Sequence, residues 1–355
     1  MTLTTKEALS PALTAFIQVM PKVELHVHFQ GAMQPETVLE LARRNQVMLP
    51  YDTVDGVREW YGFRDFRHFI DVYVRTCRVI VTPDDIEYAA WAFLQGQAAQ
   101  NIVYSELTVT PLVRHLQNNA LPFPDQLAAL NRAKARAEAE LGVSMGFVID
   151  IPREVTLDEA DLFLNATLEG FGKGVVAFGL GGYEPGNPAE RYARQFEAAH
   201  EAGIPCVPHA GEHAGPESVW GAIRVCRPVR IGHGVRSIED PELVAYLRDQ
   251  RIPLEVCPTS NVALKGYPTL ADHPIQRLMD AGVIVTVNSD DPPMFNTTLT
   301  NEFQACTDTF GWDANTIETL TLNAVGATLL PAAEKVAMLE RFEQEFRRLR
   351  TEYGV

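Results

Sequence analysis

KVELHVHF (22–29) is a short run of apolar and β-branched residues carrying two histidines two positions apart. Residues i and i+2 of a strand point to the same face, so a strand here sets His26 and His28 side by side. Seven runs of the same kind follow: NIVYSELTV (101–109), MGFVIDI (145–151), GVVAFGL (174–180), IPCVPH (204–209), VRIGH (229–233), IPLEVC (252–257) and GVIVTVN (282–288). Near-continuous apolar runs suit strands buried on both faces, which means parallel strands.

The intervals between the runs read as helices. Tyr192, Phe196 and Ala199 repeat at helical spacing, with Gly203 placed as a C-cap glycine. Asp240-Pro241 offers an N-cap and a first-turn proline ahead of Leu243, Val244 and Leu247. Ile275, Leu278 and Met279 repeat the pattern before Gly282. Strand–helix alternation eight times over predicts an α/β fold, a single (β/α)8 TIM-type barrel spanning 1–355. The long interval at about 33–100 predicts a helical insertion capping the barrel mouth, with Trp60, Phe63 and Phe66 packing that cap or lining a site beneath it. The region at about 312–355 predicts extra C-terminal helices, the last with Leu339, Phe342, Phe346 and Leu349 on its apolar face.

The chain has 355 residues, 46% hydrophobic, with a formal net charge of −16 and no Lys/Arg run. A nucleic-acid polymer is an unexpected partner for such a chain, because binding one calls for a basic stripe. Residues 1–20 read as neither a leader nor an anchor, and no stretch approaches the ~20 apolar residues of a spanning helix. The five cysteines are scattered and form no CxxC, so the expectation is reduced thiols in a cytoplasmic protein.

Chemistry in such a barrel gathers at the C-terminal ends of the strands. The first ends in His26 and His28, the fifth in His209-Ala-Gly-Glu212, the sixth in His233 and the eighth in Asn288-Ser-Asp290-Asp291. Imidazoles and carboxylates converging this way suit zinc, with iron or manganese open. The fourth strand end, Gly179-Leu-Gly181-Gly182, has no lysine or acid to bridge two metals, so one metal is expected. Such a metal activates water near pH ~7 for attack on an electrophilic carbon. Glu212 then reads as a proton donor and His233 as the group that takes a proton from the water or orients it. Asp291 diverges from Asp290 toward the substrate. Gly181 and Gly182 form a simple turn, or let a flat ring approach backbone N–H groups.

PKVELHVHFQGAM (21–33), HAGE (209–212), IGHGV (231–235), CPTSN (257–261) and NSDDPPMF (288–295) together resemble the adenosine/adenine deaminase family of the amidohydrolase superfamily. The resemblance implies one Zn2+ per chain on His26, His28, His209 and Asp290. It implies Glu212 as the acid toward purine N1, His233 positioning the attacking oxygen, Asp291 on N7 and Gly182 N–H on N3. His28 and Gln30 would flank the substrate. The family usually carries an acid near the ribose where Gln30 stands, and more often an Asp where Gly179 stands. NSDDPPMF is closer to the bacterial branch that includes adenine and aminodeoxyfutalosine deaminases. The substrate implied is adenosine, adenine, aminodeoxyfutalosine or a related small purine. Three other classes compete: a two-metal hydrolase of a cyclic amide or phosphoester, a non-catalytic barrel, and a cytidine-type zinc deaminase. The missing bridging lysine disfavours the first and the full set of ligands the second. The third lacks its HxE and PCxxC motifs.

Overall fold

The computed structural model describes residues 10–111 and 121–355. Residues 1–9, part of the stretch read as carrying no leader, lie outside them. All eight runs are strands: β1 (Lys22–His28), β2 (Ile102–Val109), β3 (Ser144–Pro152), β4 (Val175–Gly181), β5 (Cys206–Ala210), β6 (Ile231–His233), β7 (Leu254–Val256) and β8 (Val285–Val287). They pair in parallel in chain order, as the alternation requires. The last three are only three residues long.

The barrel closes between β8 and β1 partly through a side chain. Asn288 Oδ1 accepts the N–H groups of Leu25 and His26 at 2.9 and 3.1 Å. Backbone bonds from His28 N to Asp290 O (2.9 Å) and from Asp290 N to His26 O (3.1 Å) complete the seam. The closure that joins the sheet therefore also sets Asp290 against the two histidines.

The helices follow their local signals. Asp240 caps Pro241–Gln250 by accepting from Glu242 N and Leu243 N, and Leu243, Val244 and Leu247 are buried. Gly203 and Gly282 take the left-handed conformation that ends a helix. Four helices fill the interval between β1 and β2, the third of them Phe66–Cys77. Trp60 packs in a separate cluster with Val57, Tyr61, Phe69, Val72 and Phe295, and Phe63 lies against it. At the C-terminus, Phe342, Phe346 and Leu349 are buried on the helix Ala332–Tyr353, with Phe346 against Phe16. The five cysteines are buried and free. Among the described residues no helix is long and apolar enough to cross a membrane.

Candidate active site and metal centre

His26 and His28 share a face at the end of β1, their ring centroids 5.4 Å apart. His209 arrives from β5 and Asp290 from just past β8. One ligand atom from each of the four lies within 4.8 Å of the others. His28 Nε2 stands 3.2 Å from His209 Nε2 and 3.3 Å from Asp290 Oδ1, and His26 Nε2 is 3.4 Å from that same oxygen. Two of the outer nitrogens are already committed. His209 Nδ1 donates to Leu180 O at 2.9 Å, and His26 Nδ1 lies 3.0 Å from Glu255 Oε2. Such partners fix the tautomer and aim Nε2 inward.

Among the described residues, His26 Nε2 is buried without a hydrogen-bond partner. Burial disfavours a charged His26, but Asp290 and Glu255 outweigh it and push the ring up to about 10. A metal ion at that nitrogen would take the place of the proton. Asp290 is held by Ser260 Oγ–H at 2.6 Å and adopts φ +64, a strained conformation for a non-glycine residue. A second group, His26, His233, Cys257 and Asp290, is as compact. Burial pushes its thiol well up, and an un-ionised thiol is a poor ligand. The three-imidazole, one-carboxylate set therefore fits a metal better.

Glu212 and His233 stand beside this cluster, His233 Nε2 being 3.8 Å from Glu212 Oε2 and 3.9 Å from Asp290 Oδ2. A chain of bonds sets the His233 proton. Ile275 N–H donates to His273 Nδ1 (3.2 Å), so His273 carries its proton on Nε2 and gives it to Asn261 Oδ1 (3.1 Å). Asn261 Nδ2 then donates to His233 Nδ1 (3.1 Å), which leaves the His233 proton on Nε2, facing the site. Burial and the nearby His233 depress His273 to about 3, which keeps it neutral. Burial raises Glu212, but His213 and His233 beside it pull harder and hold it below its ordinary range. His213 Nδ1 is 3.2 Å from Glu212 Oε2, off the line of a hydrogen bond. Asp291 is pushed well up by burial and by the adjacent Asp290, and among the described residues its Oδ1 has no partner. A Cβ on Gly31 would fall 1.6 Å from that oxygen, so only glycine fits there.

One buried carboxylate positions the Glu212 loop. Glu184 Oε1 accepts from Gly211 N at 2.5 Å, and its Oε2 accepts from Glu212, His213 and Ala214 at 3.1, 2.9 and 3.0 Å. Gly182 adopts φ +84, and a Cβ would stand 2.4 Å from Glu154 Oε2. Among the described residues its N–H has no acceptor. Gln30 is buried, its Nε2–H donating to Thr110 O (2.8 Å) and its Oε1 accepting from Tyr73 (3.4 Å).

His28, Gln30, Gly182, His209, Glu212, His233, Asp290 and Asp291 all line one cavity of about 310 Å³. The helix Phe66–Cys77 roofs it with Phe66, Phe69, Ile70, Tyr73 and Val74. Of the three aromatics singled out in the insertion, only Phe66 reaches the cavity.

Sequence reasoning missed the supports. Arg230, buried in the barrel, pairs with Glu255 (2.5 Å) and with Glu106, so the bond that aims His26 is itself anchored. Glu255, Glu106 and Asp150 each interrupt an apolar strand run with a charge. A charge in a strand buried on both faces needs a partner, and that was the available signal.

The Adenosine deaminase family model matches residues 21–345. The aminodeoxyfutalosine deaminase of Streptomyces avermitilis is 41% identical over 329 residues, covering 91% of this chain and 90% of that protein. The adenine deaminase of Cupriavidus necator is 36% identical over 328 residues, covering 92% and 93%. The crystal structure of an adenine deaminase from Arthrobacter aurescens aligns with a TM-score of 0.88 at 30% identity, over 93% of this chain and 100% of that one.

Proposed function

We propose that this chain, which belongs to the adenosine deaminase family, hydrolyses the 6-amino group of an adenine-type purine to the 6-oxo product and ammonia, using one zinc ion held by His26, His28, His209 and Asp290. The observation that carries the reading is the cluster of those four ligand atoms, with His28, His209 and Asp290 lining the same cavity as Glu212, Asp291 and the free Gly182 N–H. Zinc in that set would supply Lewis acidity and a water ionised near neutral pH.

The protein's own residues do the rest. Glu212, ionised in the resting site, takes up the proton that the water gives up and passes it to N1, which makes C6 electrophilic. Asp291, its carboxyl pushed up by burial and by Asp290, donates a hydrogen bond to N7. The Gly182 N–H bonds N3 and fixes the ring. His233, with Asn261 bonded to its outer nitrogen, keeps its proton on Nε2 and orients the attacking oxygen by donating to it. The C6–O bond forms first and makes C6 tetrahedral, and the C6–N bond then breaks as ammonia leaves. Water supplies the oxygen, one proton that ends on N1 and one that leaves with ammonia.

A second reading concerns N9. The cavity volume of about 310 Å³ falls within the ~300–1,000 Å³ typical of pockets for drug-sized ligands. The apolar wall of Phe66, Ile70 and Val74 extends it beyond the polar groups assigned to the purine ring. That apolar wall favours a purine carrying an N9 substituent over the bare base. Five buried free cysteines fit the reducing cytoplasm, and we take 1–355 as one catalytic domain with the insertion and C-terminal helices as its elaborations.

An ammonia-release screen tests both readings, over adenine, adenosine, deoxyadenosine, methylthioadenosine and aminodeoxyfutalosine. No release from any of them would defeat the proposal. A preference above ~100-fold corresponds to roughly 3 kcal/mol of transition-state discrimination and would fix the N9 group.

A further inference from the structure

We propose that Asp150, at the end of β3, reads the group attached to purine N9 by accepting a hydrogen bond from a hydroxyl or N–H donor on it. The inference rests on the deaminase reading above.

Strand order sets the direction. Glu212 follows β5, Asp291 follows β8 and Gly182 follows β4. With N1, N7 and N3 facing those three, N9 lies between N7 and N3. It points at the remaining arc of the mouth, the ends of β1, β2 and β3.

Most polar groups on that arc are already spent. His28 belongs to the metal cluster. Gln30 uses its Nε2–H on Thr110 and its Oε1 on Tyr73. Glu154 accepts from Tyr183 N at 2.6 Å through Oε1, and it is exposed, so water serves its other oxygen. Thr110 gives its hydroxyl proton to Asp150 Oδ1 at 2.7 Å.

Asp150 differs from these. It is 4% exposed and lines the cavity; Thr110 holds Oδ1, and among the described residues no other side chain donates to Oδ2. Strand β4 makes room for it. Gly179 is its register partner, and a Cβ there would stand 3.1 Å from Asp150 Cβ. A Cβ on Gly181 would stand 2.6 Å from Oδ2. Two missing side chains thus clear a path from a held carboxylate into the cavity. Burying a carboxylate with one oxygen unpaired is costly, and a ligand donor relieves that cost.

The test compares adenine, which has no N9 substituent, with the best N9-substituted substrate of the screen, in wild type, Asp150→Ala and the isosteric Asp150→Asn. Adenine is followed as a substrate or, if turnover is slow, as a competitive inhibitor. Wild-type adenine constants and retained metal show that a variant is folded. We expect kcat/KM for the substituted purine to fall roughly 10- to 150-fold in Asp150→Ala, as for loss of a hydrogen bond to a charged group. Adenine should change less than about three-fold. Removing the matching donor from the substrate should cost wild type the same factor and the variant nothing more. Equal losses on both purines, or none on either, would overturn the assignment. Wild type acting on adenine alone would also overturn it while leaving the deaminase reading intact. Wild type acting on no purine would remove both.

Discussion

Glu184→Gln is the most informative single perturbation, because it changes one atom of a side chain that touches neither metal ligand nor cavity. The carboxylate accepts four backbone N–H bonds from residues 211–214. An amide has one acceptor oxygen. Turned toward Glu212, His213 and Ala214, it leaves Gly211 N–H facing an NH2 group, and turned the other way it orphans three donors. The better orientation costs about 1–3 kcal/mol for the stranded N–H, plus roughly 1–2 kcal/mol for lost charge assistance in the other three. We therefore expect a destabilisation of roughly 2–5 kcal/mol. With an unfolding entropy of ~2.1 cal/mol/K per residue over 355 residues, Tm should fall by roughly 3–7 °C. Glu212 lies in the released loop, and a misplacement of about 1 Å can cost ~100-fold in kcat. Calorimetry and steady-state ammonia release measure the two effects, with metal content as a control that should not change. A Tm within about 1 °C of wild type and kcat within about two-fold would refute the view that this carboxylate holds the catalytic loop.

Glu212→Gln should keep its metal and lose ~100- to 10,000-fold in turnover, because the proton donor to N1 is gone; activity within a few-fold of wild type would remove Glu212 from that role. His28→Ala should lower the metal retained after dialysis, measured by elemental analysis, and unchanged stoichiometry would count against its place among the ligands. Glu302 is buried, and burial outweighs its bonds from Thr259 and Thr297 and pushes it up to about 7 from 4.5. Between those values the folded protein holds the proton that the unfolded chain has released, so stability falls as pH rises through that window. Glu302→Gln should thus gain roughly 2–3 kcal/mol over wild type at about pH 8 and nothing at about pH 4. A denaturation difference independent of pH would contradict this.

The barrel was legible because its cause is local. Each strand had to be apolar on both faces, and each helix had to carry a stripe and a cap, so eight runs and their intervals were enough. His26 and His28 were legible for the same reason, since strand periodicity alone puts them on one face. Glu255 shows where that stops. The sequence places it in a strand, but its bond to His26 spans 229 residues of chain. Its charge in an apolar run announced a need for a partner without saying which. Glu184 lies beyond the fourth strand end, and nothing near it in sequence marks the four N–H groups it collects.

Taken by itself, the sequence determined the alternation of elements, the residue types at each strand end and, through its motifs, a resemblance to a deaminase family. Only the tertiary structure decided which of those residues meet. Barrel closure brings Asp290 within reach of His26 and His28, the cavity separates Phe66 from Trp60 and Phe63, and the β3–β4 register sets Asp150 in the space left by Gly179 and Gly181. The physical reason is range. Propensity and periodicity act over one or two turns of chain, whereas a ligand set, a tautomer or an unpaired carboxylate is fixed by contacts across the barrel.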